Sequence, residues 1–207
     1  MSVTTEVTTT TDADRSRAGS PAQQERRRRI LDATIELASE GGFEAVQMRE
    51  VADRAEVALG TLYRYFPSKI HLLVAALGRE FAITESRTAQ RAIPGESAPE
   101  RVMWILSRMT KNLQRQPQLT EAMVRAFMFA DASVTAEIHA VGMQLTAVIA
   151  RAMSGSPDHG EATSEEAAII RVISDVWLSA LVSWVTGRMS AQEVQDHLDT
   201  AVTLILP

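Results

Sequence analysis

Residues 46–69 hold two short amphipathic patterns in close succession, and this feature restricts the fold more than any other part of the chain. Apolar side chains of the first pattern recur at helical spacing at Met48, Val51, Ala52 and Ala55. Those of the second recur at Leu59, Leu62, Tyr63 and Phe66, and Pro67 then ends the helix. Two short helices separated by residues 56–58 form either a plain helical hairpin or a helix-turn-helix, whose second helix enters the DNA major groove.

Polar side chains favour the DNA-binding interpretation of this pair. Thr61, Arg64 and Tyr65 place hydroxyls and a guanidinium on a helix that would have little room for them in a core. Ser68 and Lys69 then open the next helix with donors that suit a phosphate. We therefore predict that residues 47–55 and 59–66 form a helix-turn-helix.

The composition excludes several other classes of protein. The 207 residues include no cysteine, so disulfides and thiolate metal sites are excluded. The N-terminus lacks the pattern of a signal peptide and no run of eighteen apolar residues occurs, so we expect a cytoplasmic protein without a membrane partner. His71, His139, His159 and His197 are scattered, which argues against an enzyme and against a metal site. We interpret His71 as a surface or interface side chain whose polar atoms are satisfied.

The charge is distributed unevenly along a chain with a net charge of −5. Residues 20–70 balance eight basic against eight acidic side chains, whereas residues 71–207 hold eleven against fifteen. Arginines are grouped at residues 26–29, and acids follow at Asp32, Glu36 and Glu40. We predict a neutral DNA-binding part with a segregated positive face, and contact of Arg28 with the DNA backbone.

Helical patterns fill the rest of the chain, which predicts an all-α fold. We expect a disordered tail at 1–20, a DNA-binding domain of three helices at 21–70, and a helical ligand-binding and dimerisation domain at 71–207. The expected helices are 23–39, ended by Gly41 and Gly42, the two in 46–69, and then 68–91, 97–115, 118–130, 133–153, 163–187 and 190–205.

The sequence from Gly60 to Phe66, followed by Ser68, Lys69 and Leu72, resembles the recognition segment of TetR-type repressors. This resemblance implies an N-terminal helix-turn-helix domain, a C-terminal ligand-binding domain and a homodimer on inverted-repeat, double-stranded DNA. With Arg28, the DNA contacts that we predict are Gln47, Met48, Arg49, Leu59, Gly60, Thr61, Tyr63, Tyr65 and Lys69. Ala58 stands where the family usually carries a capping serine, so the recognition helix lacks a side-chain cap.

Segments in both domains resemble a narrower group, the TetR-type repressors of sterol catabolism in actinobacteria. The segments that carry this resemblance are residues 60–69, which overlap the recognition segment, and residues 71–81, 119–123, 129–132 and 171–178. It implies a hydrophobic inducer, a coenzyme A thioester of a sterol-derived 3-oxo acid, and no cofactor. Arg108, Lys111 and Arg125 are candidates for its charged end. A TetR-type regulator of other genes, such as efflux genes, remains the alternative.

Methionines and aromatic residues suggest where this ligand binds, because flexible thioethers and rings suit an adaptable apolar cavity between helices. The pocket that we predict is lined by Leu77, Phe81, Trp104, Arg108, Met109, Met123, Phe127, Met128, Met143 and Trp177. The two last helices carry apolar faces too broad for one neighbour, as in a dimer built on a four-helix bundle. The interface that we predict contains Val176, Ala180, Leu181, Trp184, Leu198 and Val202.

Overall fold

A computed structural model describes residues 20–89, 92–156 and 159–206. All regular structure in these ranges is helical, which confirms the predicted all-α fold. Within them lie nine α-helices: α1 (Pro21–Ala45), α2 (Met48–Arg54), α3 (Leu59–Tyr65), α4 (Lys69–Thr88), α5 (Ala98–Gln114), α6 (Pro117–Met128), α7 (Thr135–Ser154), α8 (Ser164–Val185) and α9 (Ala191–Ile205). A 3-10 turn, Ala132–Val134, precedes α7. The tail predicted at residues 1–20 lies outside the described residues, apart from Ser20.

Helix α1 begins earlier and extends further than the sequence predicts. Ser20 and Gln23 form a reciprocal capping box, and Pro21 fits the first helical position. At the other end the backbone leaves helical geometry at Gly41 and Gly42, where Gly42 has a φ of +66°. The glycines therefore turn the chain as predicted, although a last short helical stretch continues to Ala45.

Helices α2 and α3 form the predicted helix-turn-helix. Val51 and Leu62 are fully buried between these helices and their neighbours, and Phe66 is nearly so. In the turn, Glu56 takes a left-handed conformation with φ of 53°, and the Val57 N–H donates to the Ala52 carbonyl at 2.9 Å. This turn sets the angle at which α3 leaves α2.

Helix α4 belongs to both halves of the molecule. Residues 71–78 are all buried, because α4 packs on α1 and also on α6 and α7. The expectation that the polar atoms of His71 are satisfied is confirmed, but its placement at the surface is wrong. Its ring is buried, its Nε2 donates to the Ser133 carbonyl at 3.1 Å, and its Nδ1 accepts from the Ser68 hydroxyl at 2.9 Å.

Two of the C-terminal helices, α6 and α7, pack directly on α4. Helix α6 packs along α1, helix α7 along α4, and α9 lies against α8 and α5. The segments Ala132–Ser154 and Ser164–Val185 are long and apolar enough to cross a membrane by length and composition alone. Core helices of many proteins meet the same criterion, and both segments pack against other helices here.

Candidate DNA-contact surface and ligand pocket

Helix α3 presents one face to the core and the other to solvent. Leu62 is buried on the inner face, whereas Leu59 and Tyr63 on the outer face are 39% and 46% exposed. Among the described residues, a Cβ placed on Gly60 would meet no heavy atom within 4 Å. This side of α3 is therefore open to a closely approaching partner, as a recognition helix requires.

The other side chains predicted to contact DNA differ in how far they reach solvent. Gln47 and Arg49 are exposed at the start of α2. Met48 and Tyr65 are half-buried and pack partly against the core, and Thr61 is also half-buried. No side chain caps the start of α3, which confirms the prediction made from Ala58.

The prediction of a segregated positive face is wrong. Arg28 pairs with Glu25 at 2.6 Å and with Asp32 at 2.7 Å, and its hydrogen bond to Glu25 lowers the pKa of that carboxyl. Arg54 pairs with Glu40 at 2.8 Å. These arginines are interleaved with acids that lie one turn away or on a neighbouring helix, so much of their charge is compensated.

Two exposed arginines on the helix-turn-helix keep an uncompensated charge. Arg49 on α2 and Arg64 on α3 form no ion pair with any residue that the structure describes. Their guanidinium groups are therefore the cations of this unit that are freest to meet a phosphate or a base.

Lys69 is held within the protein. Its Nζ donates to the Phe43 carbonyl at 2.8 Å and lies 4.1 Å from the centre of the Phe43 ring. Burial lowers the pKa of the Lys69 ammonium, the nearby Arg125 lowers it further, and the carboxylates of Glu44 and Glu121 partly offset these effects. An ammonium has three donors, so contact of Lys69 with a phosphate would share this group with Phe43.

A cavity of about 460 Å³ lies between α4, α6, α7 and α8. Phe81 and Trp177 stack at its wall with ring centres 6.0 Å apart, and the Trp177 indole N–H donates to the Thr110 hydroxyl at 2.9 Å. Six of the residues predicted for the pocket line this cavity: Leu77, Phe81, Met123, Phe127, Met143 and Trp177. The volume and the apolar wall are typical of a small-molecule site.

Four residues predicted for the pocket lie elsewhere. Met109 is buried in the core, and Met128 is 56% exposed at the end of α6. Trp104 and Arg108 line a separate surface cleft between α5 and α9, on the opposite face of α5 from Leu113, which lines the cavity. Helical spacing identifies an apolar residue but not the neighbour that it faces, and this explains the errors.

The polar part of the cavity was not predicted from the sequence. His139 on α7 and Arg171 and Asp175 on α8 are exposed residues that line it. Lys111 lies at the surface cleft, and Arg125 pairs with Glu44 at 2.9 Å. Neither of these, nor Arg108, lines the cavity, so Arg171 replaces them as the candidate for an anionic ligand end. The spacing of Arg171, Asp175 and Leu178, one helical face of α8, was the available signal.

The predicted dimer interface also needs correction. Ala180, Leu181, Leu198 and Val202 are buried within a single chain, because α9 packs on α8 and α5 and because Leu181 lines the cavity. They have almost no surface left for a partner. Val176 and Trp184 remain partly exposed.

Two apolar side chains on the same helices are not among the residues predicted for the interface. Val172, one turn before Val176, is 49% exposed, and Leu204 near the end of α9 is 79% exposed.

As for metals, the described part of the chain brings no three His, Asp or Glu side chains together.

The fold and the open recognition helix define a helix-turn-helix transcriptional regulator. Residues 30–76 match the bacterial regulatory proteins of the tetR family, and residues 95–205 match the tetracyclin repressor-like C-terminal domain. The chain belongs to the TetR family, as the recognition segment predicts.

Known proteins similar to this chain agree with that assignment. The chain is 54% identical over 191 residues to the HTH-type transcriptional repressor KstR of Mycolicibacterium smegmatis, covering 92% of each protein. A TetR transcriptional regulator from Rhodococcus sp. RHA1 has a TM-score of 0.81 and 33% identity, covering 89% of this chain and 97% of that one. The Thermus thermophilus FadR, solved in complex with lauroyl-CoA, shares the fold at a TM-score of 0.70 and 20% identity, covering 86% of this chain and 92% of that one.

Proposed function

We propose that this protein is a ligand-responsive repressor that binds an inverted-repeat operator as a homodimer. A coenzyme A thioester of a sterol-derived acid releases it and so controls the genes of sterol catabolism. The similarity to a KstR repressor supports the repressor role. The resemblance of residues 71–81, 119–123, 129–132 and 171–178 to sterol-catabolism repressors supports the choice of genes. Since its operator DNA lies in the bacterial cytoplasm, we place the protein there.

One observation carries the ligand response: helix α4 takes part in both sites. Its first residue, Lys69, follows the recognition helix after three residues, and Leu77 and Phe81 further along α4 line the cavity. A ligand that prefers a different position of α4 changes the position of α3 as well. Coupling of about 1–3 kcal/mol lowers operator affinity roughly 5- to 150-fold.

The chemistry of the cavity fits an apolar ligand with one charged end. The stacked Phe81 and Trp177 and the flexible Met123 suit a bulky hydrocarbon. Arg171 and His139 at the exposed part suit an anionic group that stays near solvent, such as the phosphates of coenzyme A. A related fold that is solved with lauroyl-CoA supports an acyl-CoA as the class of ligand.

A homodimer is the assembly that an inverted repeat requires. Each half-site takes one recognition helix, so the two copies must be related by a two-fold axis. Val172 and Leu204 on α8 and α9 are apolar and exposed, with the partly exposed Trp184 on the same pair of helices. We propose that these side chains are covered by the second copy.

A gel-shift titration tests the proposal. DNA is first selected by the protein from a random pool, and the selected duplex is then titrated with and without the coenzyme A thioester of a 3-oxosteroid acid. We expect an inverted repeat in the selected DNA and a loss of binding with the thioester. Free coenzyme A is the control and should have no effect. Specific binding that no sterol thioester changes would contradict the ligand, and an absence of specific binding would contradict the repressor.

A further inference from the structure

Helix α6 connects two environments on its opposite faces. Met123, Val124 and Phe127 line the cavity on one face. Glu121 and Arg125, one turn apart on the other face, contact the end of α1, which belongs to the DNA-binding unit. A ligand that displaces α6 would therefore move these two charged side chains directly.

The chain at residues 42–44 is fixed to α6 by several different contacts. One Glu121 carboxylate oxygen accepts the Phe43 backbone N–H at 2.9 Å. Arg125 pairs with Glu44 at 2.9 Å, and its guanidinium lies 4.4 Å from the centre of the Phe43 ring. Because these contacts involve the backbone, the ring and a neighbouring charge, a shift of residues 42–44 along α6 disturbs several of them at once.

Gly42 shows how closely the two elements approach. A Cβ at this position would lie 2.9 Å from a Glu121 carboxylate oxygen, and the φ of +66° also suits glycine alone. Glycine therefore allows Glu121 to reach the Phe43 N–H. The turn that ends the long part of α1 is also the place where α1 meets α6.

Lys69 completes the contact from the side of α4. Its ammonium donates to the Phe43 carbonyl and lies over the Phe43 ring, which Arg125 also contacts. Lys69 begins α4, and α3 ends at Tyr65. Phe43 thus lies between a cation of the cavity-lining α6 and a cation next to the recognition helix.

We propose that residues 42–44 form a joint that couples ligand occupancy of the cavity to the position of the helix-turn-helix. Glu121 and Arg125 are its positioning residues. This inference rests on the ligand response proposed above. A ligand that displaces Met123 and Phe127 moves Glu121 and Arg125, which carry Phe43 and the Lys69 end of α4 with them. The joint adds a second path to the one that runs along α4.

Four variants and one control test this joint in the full-length protein. Glu121→Ala removes the acceptor of the Phe43 N–H, and Arg125→Met removes the cation while keeping an unbranched apolar chain. Glu121→Gln and Arg125→Lys keep an acceptor and a cation, respectively. Arg115→Met is the control, because Arg115 is an exposed arginine directly after α5 that takes part in neither the cavity nor the helix-turn-helix.

Two quantities are measured for each protein. Operator affinity is measured by fluorescence anisotropy of the labelled, selected duplex, with and without a saturating 3-oxosteroid acyl-CoA thioester. Thioester affinity is measured separately by calorimetry. In the wild type and in Arg115→Met, we expect the thioester to lower operator affinity by roughly 5- to 150-fold.

In Glu121→Ala and Arg125→Met we expect the thioester to lower operator affinity by only about 2-fold or less. The affinity for the thioester and the operator affinity without ligand should be nearly unchanged. Glu121→Gln and Arg125→Lys should recover most of the thioester effect. An undiminished effect in the first two variants overturns the joint alone. A loss of operator binding without ligand also overturns it, because the two residues would then only support the fold. A wild type that does not respond to the thioester overturns both the joint and the proposed release.

Discussion

Arg28 and Arg49 show that the surroundings of a charge matter more than its sign. Both were predicted to contact DNA from the sequence. Arg28 is compensated by two carboxylates within 2.7 Å, whereas Arg49 is exposed and has no ion pair among the described residues. The sequence places Glu25 and Asp32 one turn from Arg28, so its pairing could have been predicted. The pairing of Arg54 with Glu40 could not, because it joins two helices.

This difference predicts unequal effects on binding to DNA. Arg49→Gln should weaken operator binding and reduce the slope of log affinity against log salt by about one, since one phosphate contact is lost. Arg28→Gln should leave this slope nearly unchanged. Anisotropy titrations at several salt concentrations measure both. Equal slopes for the two variants would show that Arg28 contacts the phosphate backbone as well.

Helix α3 illustrates what a short sequence pattern can and cannot predict. Its ends and its missing cap were predicted, because each depends on residues within a few positions of one another. The two faces of α6 were not distinguished, since they depend on contacts with α1 that lie far away in the sequence. Local periodicity indicates which side of a helix is apolar, and long-range packing determines which element that side contacts.

The uncapped start of α3 predicts a stabilising substitution. Ala58 has φ of −63° and ψ of 140°, the extended geometry of a capping residue. Ala58→Ser should therefore accept a backbone N–H of the first turn and raise the free energy of unfolding by about 1 kcal/mol. For a chain of 207 residues this raises Tm by roughly 2–4 °C. Ala58→Val, which lacks an acceptor, is the control in thermal unfolding and should show no increase.

The capping boxes of α8 and α9 predict a dependence of stability on pH. Hydrogen bonds from the Thr163 and Ser190 backbones lower the pKa values of Glu166 and Glu193, respectively, below the usual 4.5. Since the folded state prefers the ionised carboxylates, their contribution to stability is complete above pH 4.5 and is lost as pH falls through the lowered values.

The variant Glu166→Gln combined with Glu193→Gln should therefore be less stable than the wild type at neutral pH. The difference should shrink in acid. Urea unfolding at a series of pH values measures it, and Glu161→Gln, an exposed residue outside the helices, is the control. A difference that is independent of pH would contradict the role of the two ionised carboxylates.

At the scale of the whole molecule, the class of fold was easier to predict than the surfaces between its parts. The helical periods of the sequence and the recognition segment gave the all-α fold and the family correctly. Leu198 and Val202 were assigned to a partner because α9 carries a broad apolar face. That face is buried against α8 and α5 of the same chain. Apolar area alone does not distinguish an internal neighbour from a second copy.

The corrected surface predicts where a charge should separate the dimer. Leu204 is 79% exposed in the single chain, so Leu204→Glu should leave the fold intact but produce monomers if a partner covers this side chain. Sedimentation measures the mass. Phe129→Glu is the matched control, because Phe129 is 68% exposed at the end of α6 and should leave the dimer unaffected. Monomers from Phe129→Glu alone would place the interface there.

The stacking of Trp177 on Phe81 has an optical consequence. The Trp177 indole is 2% exposed at the cavity wall, whereas Trp104 is 36% exposed and Trp184 partly so. A molecule that enters the cavity changes the polarity around one buried indole and leaves the two others nearly as they were. The intrinsic tryptophan fluorescence of the protein therefore reports whether the cavity is occupied. Replacing Trp104 and Trp184 by Phe would isolate that signal, and unlabelled extracts could then be screened for the natural ligand by spectroscopy alone.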